Sequence, residues 1–353
     1  MNDVANTRPN PYVGPRAFKF GETLFGRDRE KQELLDLLIA ERIVLMYSPS
    51  GAGKTSLIQA ALIPSLEKEN FRIIPRVQEG ETFSPRLLRV NQLPPPGSSL
   101  PPETNRYILS LLLLLEEALP QEKQMSVKEL AGMHLSEYLK QRTAMGKEEE
   151  SLAIIVDQFE EILSLDPTDR EAKAEFFNQL GEALRNKGLW ALFAMREEYL
   201  AGLEPYLRPI PSRFSTTFRL DLLGEHDAKR AMQKPAEAAN VTFTDDATKK
   251  LVDDLRNMQI QRPDGSMEDR PGPFVEPVQL QVVCHRLWEM LSPTDMEIGE
   301  NEVKSLGNVN IALSDYYAEQ VASVATETGV SERTIRDWFE NQLITAQGIR
   351  GQV

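Results

Sequence analysis

The stretch "RIVLMYSPSGAGKTSLIQAAL", Arg42 to Leu62, decides the fold class. A short aliphatic run, Arg42 to Tyr47, meets a glycine-rich turn and continues as "SLIQAAL", which starts a helix that Pro64 is expected to stop. A strand entering such a turn and then a helix lets backbone N–H groups converge on phosphate oxygens, with the helix N-terminus adding a favourable field. Glycines are needed because a side chain would block close approach. The loop residues Ser48, Pro49, Ser50, Gly51, Ala52, Gly53, Lys54, Thr55 and Ser56 are therefore the candidate nucleotide cradle. Lys54 is expected to neutralise the β- and γ-phosphates and the Thr55 hydroxyl to ligate Mg²⁺. Ser48 stands where the usual pattern begins with glycine, which serine can replace if the local φ is negative.

Three more runs share the rhythm of the first: "FRIIPRV" (71–77), "SLAIIVD" (151–157) and "LWALFAM" (189–195), with a fifth, "TTFRLD" (216–221), after the last helical piece. Near-continuous aliphatic runs suit strands covered on both faces. Alternation with helices predicts an α/β fold with a parallel sheet and right-handed crossovers. The proline-rich stretches 92–103 and 261–273 read as exposed loops, and "YILSLLLLLEEAL" (107–119) as a buried helix. That helix meets Glu116 and Glu117 well short of the roughly 20 apolar residues of a membrane span. Beyond Asp221 no strand of comparable quality follows, and spacings such as Tyr317, Val321 and Val324 predict an α-rich remainder.

The other strand ends supply the rest of a phosphate site. Asp157 closes "LAIIVD" and is the expected partner of Thr55 for Mg²⁺, holding the ion through water; Glu160 or Glu161 then stands where it would polarise an attacking water, or simply opens a solvated helix. Arg196 ends "LFAMR" at the same rim, to reach the γ-phosphate or to pair with Glu197 or Glu198.

The bulk composition reads as a soluble, globular chain. Against 40 basic residues stand 54 acidic ones, a formal charge of -14, which argues against a surface built to neutralise DNA or anionic lipid. Cys284 is the only cysteine, as suits a reducing compartment and the cytoplasm, and the N-terminal sequence lacks the basic start and apolar core of a signal peptide. His134, His226 and His285 have no metal-ligand spacing.

Taken with "NPYVGPRAF" (10–18) and "FGRDRE" (25–30), the Walker-like "DQFEE" (157–161) and "AMREEYLAGL" (194–203) resemble the STAND class of P-loop signalling ATPases, relatives of AAA+ ATPases, in its bacterial novel-STAND-like group. The resemblance implies a sheet in the order 5-1-4-3-2 within residues 1–222, a helical lid over 223–300 and the start of a winged helix over 301–353. It implies that Gly26 and Arg27 lie near the adenine or ribose and that Tyr12 and Pro277 contribute to nucleotide binding, although Val275 and Glu276 precede Pro277 where glycine or leucine is usual. It implies ATP or ADP with Mg²⁺, slow regulatory hydrolysis, homo-oligomers in the ATP state and protein effectors or sensors as partners. Residues 329–353 resemble the winged-helix element, from which Arg333, Arg336 and Arg350 are candidate contacts to nucleic acid, interleaved with Glu332, Asp337 and Glu340. Its strands would continue beyond Val353. Arg213, just before the last strand, is a candidate to reach a neighbour's nucleotide or to make a surface ion pair.

Overall fold

The aliphatic runs become strands of one parallel sheet in the computed structural model, which describes residues 8–79, 82–142, 151–307 and 309–343. Residues Phe18–Asp221 form one unit; the described residues before and after them form a second.

In the first unit, helix α1 (Asp28–Glu41) leads into strand β1 (Ile43–Ser48), and the glycine-rich loop leads into α2 (Lys54–Leu57), a π-helical turn (Ile58–Leu62) and α3 (Ile63–Lys68). Pro64 therefore does not stop the helix, contrary to expectation. It sits in the first turn of α3, where an N–H is dispensable, and the widened turn before it bonds Ile63 N to Ile58 O. The run 71–77 is also divided: β2 (Phe71–Ile74) stays in the sheet, while β3 (Arg76–Glu79) leaves it at Pro75 to pair with β4 (Thr82–Pro85). Proline has no ladder donor, so the break falls there.

An irregular stretch covers the prolines of 92–103, and α4 (Arg106–Glu117) follows, capped by Asn105, whose Oδ1 accepts from the N–H groups of Tyr107 and Ile108. Short helices α5 (Val127–Ala131) and α6 (Leu135–Arg142) precede β5 (Ser151–Val156). Then come α7 (Glu161–Ser164), α8 (Arg170–Leu184), β6 (Leu189–Arg196) and β7 (Thr217–Arg219). The sheet order is β2-β5-β6-β1-β7 and every pair is parallel. Numbered by chain order among these five and read from the far edge, it is 5-1-4-3-2.

Both faces of the sheet are covered, as the unbroken aliphatic runs require. Ile43 and Leu45 of β1, Ile154 and Val156 of β5, and Phe193 and Met195 of β6 enter one large core that includes Tyr107, Leu112, Phe176 and Leu180 from α4 and α8. The alternate residues, Val44, Met46, Ile155 and Leu192, are just as buried, on the face where α1 approaches β1 and β6.

The second unit is mostly helical: α9 (Glu225–Ala238), α10 (Asp245–Leu255), α11 (Pro277–Glu289) and α12 (Glu300–Leu306) surround a core of Met232, Val252, Leu280, Leu287 and Ile298. Pairs of two-residue strands tie it together, β8 (Leu223–Gly224) with β12 (Phe274–Val275) and β9 (Thr242–Phe243) with β13 (Glu297–Ile298). Residues 261–273, expected as a loop, instead close a hairpin of β10 (Asn257–Gln261) and β11 (Met267–Pro271). Its turn explains why: Pro263 presets the first corner, Gly265 N donates to Arg262 O at φ +84°, and Asp264 Oδ1 accepts from Ser266 N. After α12 come α13 (Val309–Thr328), α14 (Glu332–Trp338) and a π-helical turn Phe339–Leu343. Arg350 and the rest of the sequence reading over 344–353 lie outside the described residues. Among the described residues no helix is long and apolar enough to cross a membrane.

Candidate functional site

The register of the sheet sets the site. Ser48 pairs with Arg196 across β1 and β6, so the carboxyl ends of both strands and of β5 open on one rim. In open α/β sheets this is where ligands bind. Gly51 (φ +77°) and Gly53 (φ +90°) take left-handed backbone that other residues adopt only under strain, folding the loop tightly before α2 begins at Lys54.

Four titratable side chains meet there. The Lys54 ammonium donates to Ser48 Oγ at 2.6 Å, and the Ser48 hydroxyl, fully buried, donates in turn to Pro49 O at 2.7 Å. Burial lowers the Lys54 pKa, an effect partly offset by the carboxylates of Glu160 and Asp157. Thr55 Oγ1 donates to Asp157 Oδ2 at 2.7 Å, so the two side chains expected around Mg²⁺ are in contact. Glu160, nearly buried, meets Arg196: Oε1 lies 3.3 Å from Nε, and Oε2 accepts from the Arg196 backbone N–H at 3.3 Å. Burial pushes the Glu160 carboxyl pKa up, against the pull of Lys54 and Arg196.

Local structure explains the placement. Gln158 adopts φ +54°, turning the chain sharply after Asp157, and Phe159 anchors the turn in the core, its ring 4.9 Å from that of Phe193 and its N–H donating to Ala194 O. Asp157 is thereby left at the rim and Glu160 beside β6. Among the described residues the ion-pair partner of Arg196 is Glu160 rather than Glu197 or Glu198, and Glu197 accepts from Arg219 at 3.2 Å. Glu161 is buried at the first residue of α7.

Arg27 follows Gly26 (φ +78°) and is almost wholly buried. Its guanidinium donates to Ala52 O of the loop at 2.9 Å, to Asp221 O at 2.8 Å and to Glu30 Oε1 at 2.6 Å, so it braces the loop from behind. Ser56 Oγ accepts from Phe18 N at 3.2 Å. Arg213 is exposed at φ +50°, and Phe214 beside it (φ +51°) packs on Phe193. Tyr12 and Pro277 belong to the other unit. There Tyr12 donates its hydroxyl to Met232 O at 2.5 Å and its ring lies 6.0 Å from Trp288, while Pro277 opens α11.

Sequence reasoning missed Arg89. After β4 the chain returns to the edge of β5, where Leu88 pairs with Val156, and Arg89 then lies 3.9 Å from Asp157 Oδ2. The only signal was the short run "LLRV" (87–90) between two prolines, too brief for strand periodicity.

Hydroxyl and carboxylate oxygens in contact form a hard donor pair suited to Mg²⁺, which takes few protein ligands and completes its shell with water and phosphate. Among the described residues no group of three or more His, Cys, Asp or Glu gathers that could hold a metal ion.

A parallel sheet in this order, with a lysine-bearing glycine loop after its central strand and an acidic residue after the neighbouring one, defines a P-loop NTPase. The chain belongs to the Novel STAND NTPase 1 family, whose model matches residues 11–349. Its fold is similar to that of a Walker-type ATPase of Pyrococcus abyssi, with TM-score 0.54 and 14% identity over 94% of this chain and 83% of that one. It is also similar to the ORC2 protein of Aeropyrum pernix in an ADPNP–ADP complex, with TM-score 0.51 and 15% identity over 95% and 84%. The ORC1 protein of the same organism in complex with DNA matches with TM-score 0.50 and 13% identity over 86% and 68%. No curated protein matches the chain in sequence.

Proposed function

We propose that this NTPase is an ATP-dependent switch. ATP with Mg²⁺ favours an assembling state, ADP a resting one, and slow hydrolysis of the γ-phosphate returns the first to the second. The observation that carries this reading is the gathering of Lys54, Thr55, Asp157, Glu160 and Arg196 at one sheet rim.

In this reading the loop N–H groups and Lys54 hold the β- and γ-phosphates, and Thr55 with Asp157 holds Mg²⁺. The ion, when bound, neutralises charge on the β- and γ-oxygens. Glu160 orients the attacking water and accepts its proton, a role suited to a carboxyl whose pKa burial has raised. Arg196 exchanges part of its pairing with Glu160 for the charge that develops on the transferred group. A ligand drives a switch only if it binds the two states differently, and a γ-phosphate linking Arg196 to the loop supplies such a difference.

The test is phosphate release together with mass in solution, with ADP and with a non-hydrolysable ATP analogue. A larger species with the analogue supports the switch. Identical masses combined with no phosphate release leave a nucleotide-stabilised scaffold instead.

A DNA-associated role, by analogy with the DNA-bound ORC1 neighbour, is the second reading. Against it, the arginines of α14 are matched by acids of the same helix, Arg336 to Glu332 at 3.2 Å and Arg333 to Asp337 at 3.9 Å. Retention of duplex DNA at low salt, weakened by Arg333→Ala and Arg336→Ala, would favour it.

A further inference from the structure

We infer that Arg89 is a further nucleotide-binding residue of this site: its guanidinium contacts the γ-phosphate from the side of Asp157 opposite Arg196. The inference rests on the nucleotide reading of the loop from Ser48 to Ser56.

The chain is built to hold Arg89 in this place. Having left the sheet at Pro75, it returns to the lane that β2 vacates beside β5. Arg86 N donates to Pro75 O at 2.9 Å, Leu88 N to Ile155 O at 2.8 Å, and Asp157 N to Leu88 O at 2.9 Å. Leu88 and Val90, each 1% exposed, are core residues, and Ser110 Oγ donates to Arg89 O at 2.8 Å. The backbone of Arg89 is therefore fixed on both sides, one residue along from the pairing that positions Asp157.

The side chain is not used up by this framework. Its NH2 lies 3.9 Å from Asp157 Oδ2, beyond hydrogen-bond reach, and the side chain is 42% exposed. The same oxygen accepts from Thr55 Oγ1 at 2.7 Å, so Arg89 stands next to the pair assigned to Mg²⁺. The other arginines of the rim are engaged: Arg27 by three acceptors, Arg196 by Glu160, and Arg219 by Glu197 and Asp221. Among the described arginines of the rim, Arg89 alone brings unspent donors, in a fork that matches phosphate oxygens. Once an ion neutralises Asp157, attraction of the guanidinium to that carboxylate weakens, and the nearest anionic partner becomes the terminal phosphate. Arg89 and Arg196 then flank the γ-phosphate, one at the β2 lane and one at β6.

The experiment is equilibrium binding of ADP and of a non-hydrolysable ATP analogue, each with Mg²⁺, to the full chain and to its Arg89→Ala and Arg89→Lys variants. Arg89→Ala is expected to weaken the ATP analogue by about tenfold or more and to leave ADP within about twofold, with Arg89→Lys recovering part of the loss. Unchanged affinity for the analogue overturns the inference. Equal weakening of both nucleotides also overturns it, since that is the mark of a purely structural partner of Asp157. If the unaltered chain binds neither nucleotide, the loop reading itself fails and this inference goes with it.

Discussion

Ser48 looks like a harmless exchange for glycine while only the loop pattern is in view. With its hydroxyl between Lys54 Nζ and Pro49 O, it becomes the group that fixes the ammonium, leaving two N–H donors for phosphate. Ser48→Ala and Ser48→Gly are therefore expected to weaken ATP and ADP alike, by about three- to tenfold in a calorimetric titration, part of a charge-assisted hydrogen bond. An unchanged affinity would show that the phosphates alone orient Lys54. Glu160 makes a different prediction. Its carboxyl pKa is raised by burial, so the native state is disfavoured by the charge that Glu160 carries above that pKa, and protonation or amide substitution relieves it. Glu160→Gln is expected to cut phosphate release by about a hundredfold or more while nucleotide affinity and unfolding midpoint at neutral pH hold or rise. A full rate of release would remove Glu160 from the chemistry.

At the scale of elements, the leucine-rich helix α4 carries a charge into the core and shows how the helices between β4 and β5 are held. Glu116, 3% exposed, accepts from Tyr138 Oη at 2.6 Å, from the Arg142 guanidinium at 2.5 Å and from Met125 N at 2.6 Å. One carboxylate thus joins α4, α6 and the loop before α5. Glu116→Ala strands one buried and two part-buried partners and is expected to cost about 3 kcal/mol in denaturant unfolding, with nucleotide affinity little changed in the folded protein. A loss under about 0.5 kcal/mol would mean that water replaces the carboxylate. None of this was legible from the sequence, where Glu116 served only to end an apolar run. The three longest strands, β1, β5 and β6, were legible because a strand covered on both faces must be aliphatic throughout. The hairpin β10–β11 was not, since both its strands are exposed and so carry no apolar alternation to read. Pro64 misled for a related reason: a proline forbids a helix interior, but a π-helical turn turns the next position into a fresh first turn.

For the whole molecule, the residues readable in advance were those whose type the proposed phosphate and metal contacts dictate: Lys54 and Thr55 open the helix after the loop, and Asp157 and Arg196 stand at strand ends. Those that act on them from behind were obscured. Arg27, which the resemblance puts near the base or ribose, also donates to Ala52 O, Asp221 O and Glu30, bonds that no local pattern announces. Arg89 reaches the rim only because a hairpin detour returns the chain to the sheet edge, a long-range event with no local signature. The common claim beneath these assignments is that the rim of β1, β5 and β6 binds a nucleoside triphosphate through Lys54. The most direct measurement is a titration of ATP with Mg²⁺ into the full chain and into Lys54→Ala. Saturable binding by the chain, weakened about a hundredfold or more in the variant, is the expected result. Equal affinity in the two, or no binding by either, would contradict it.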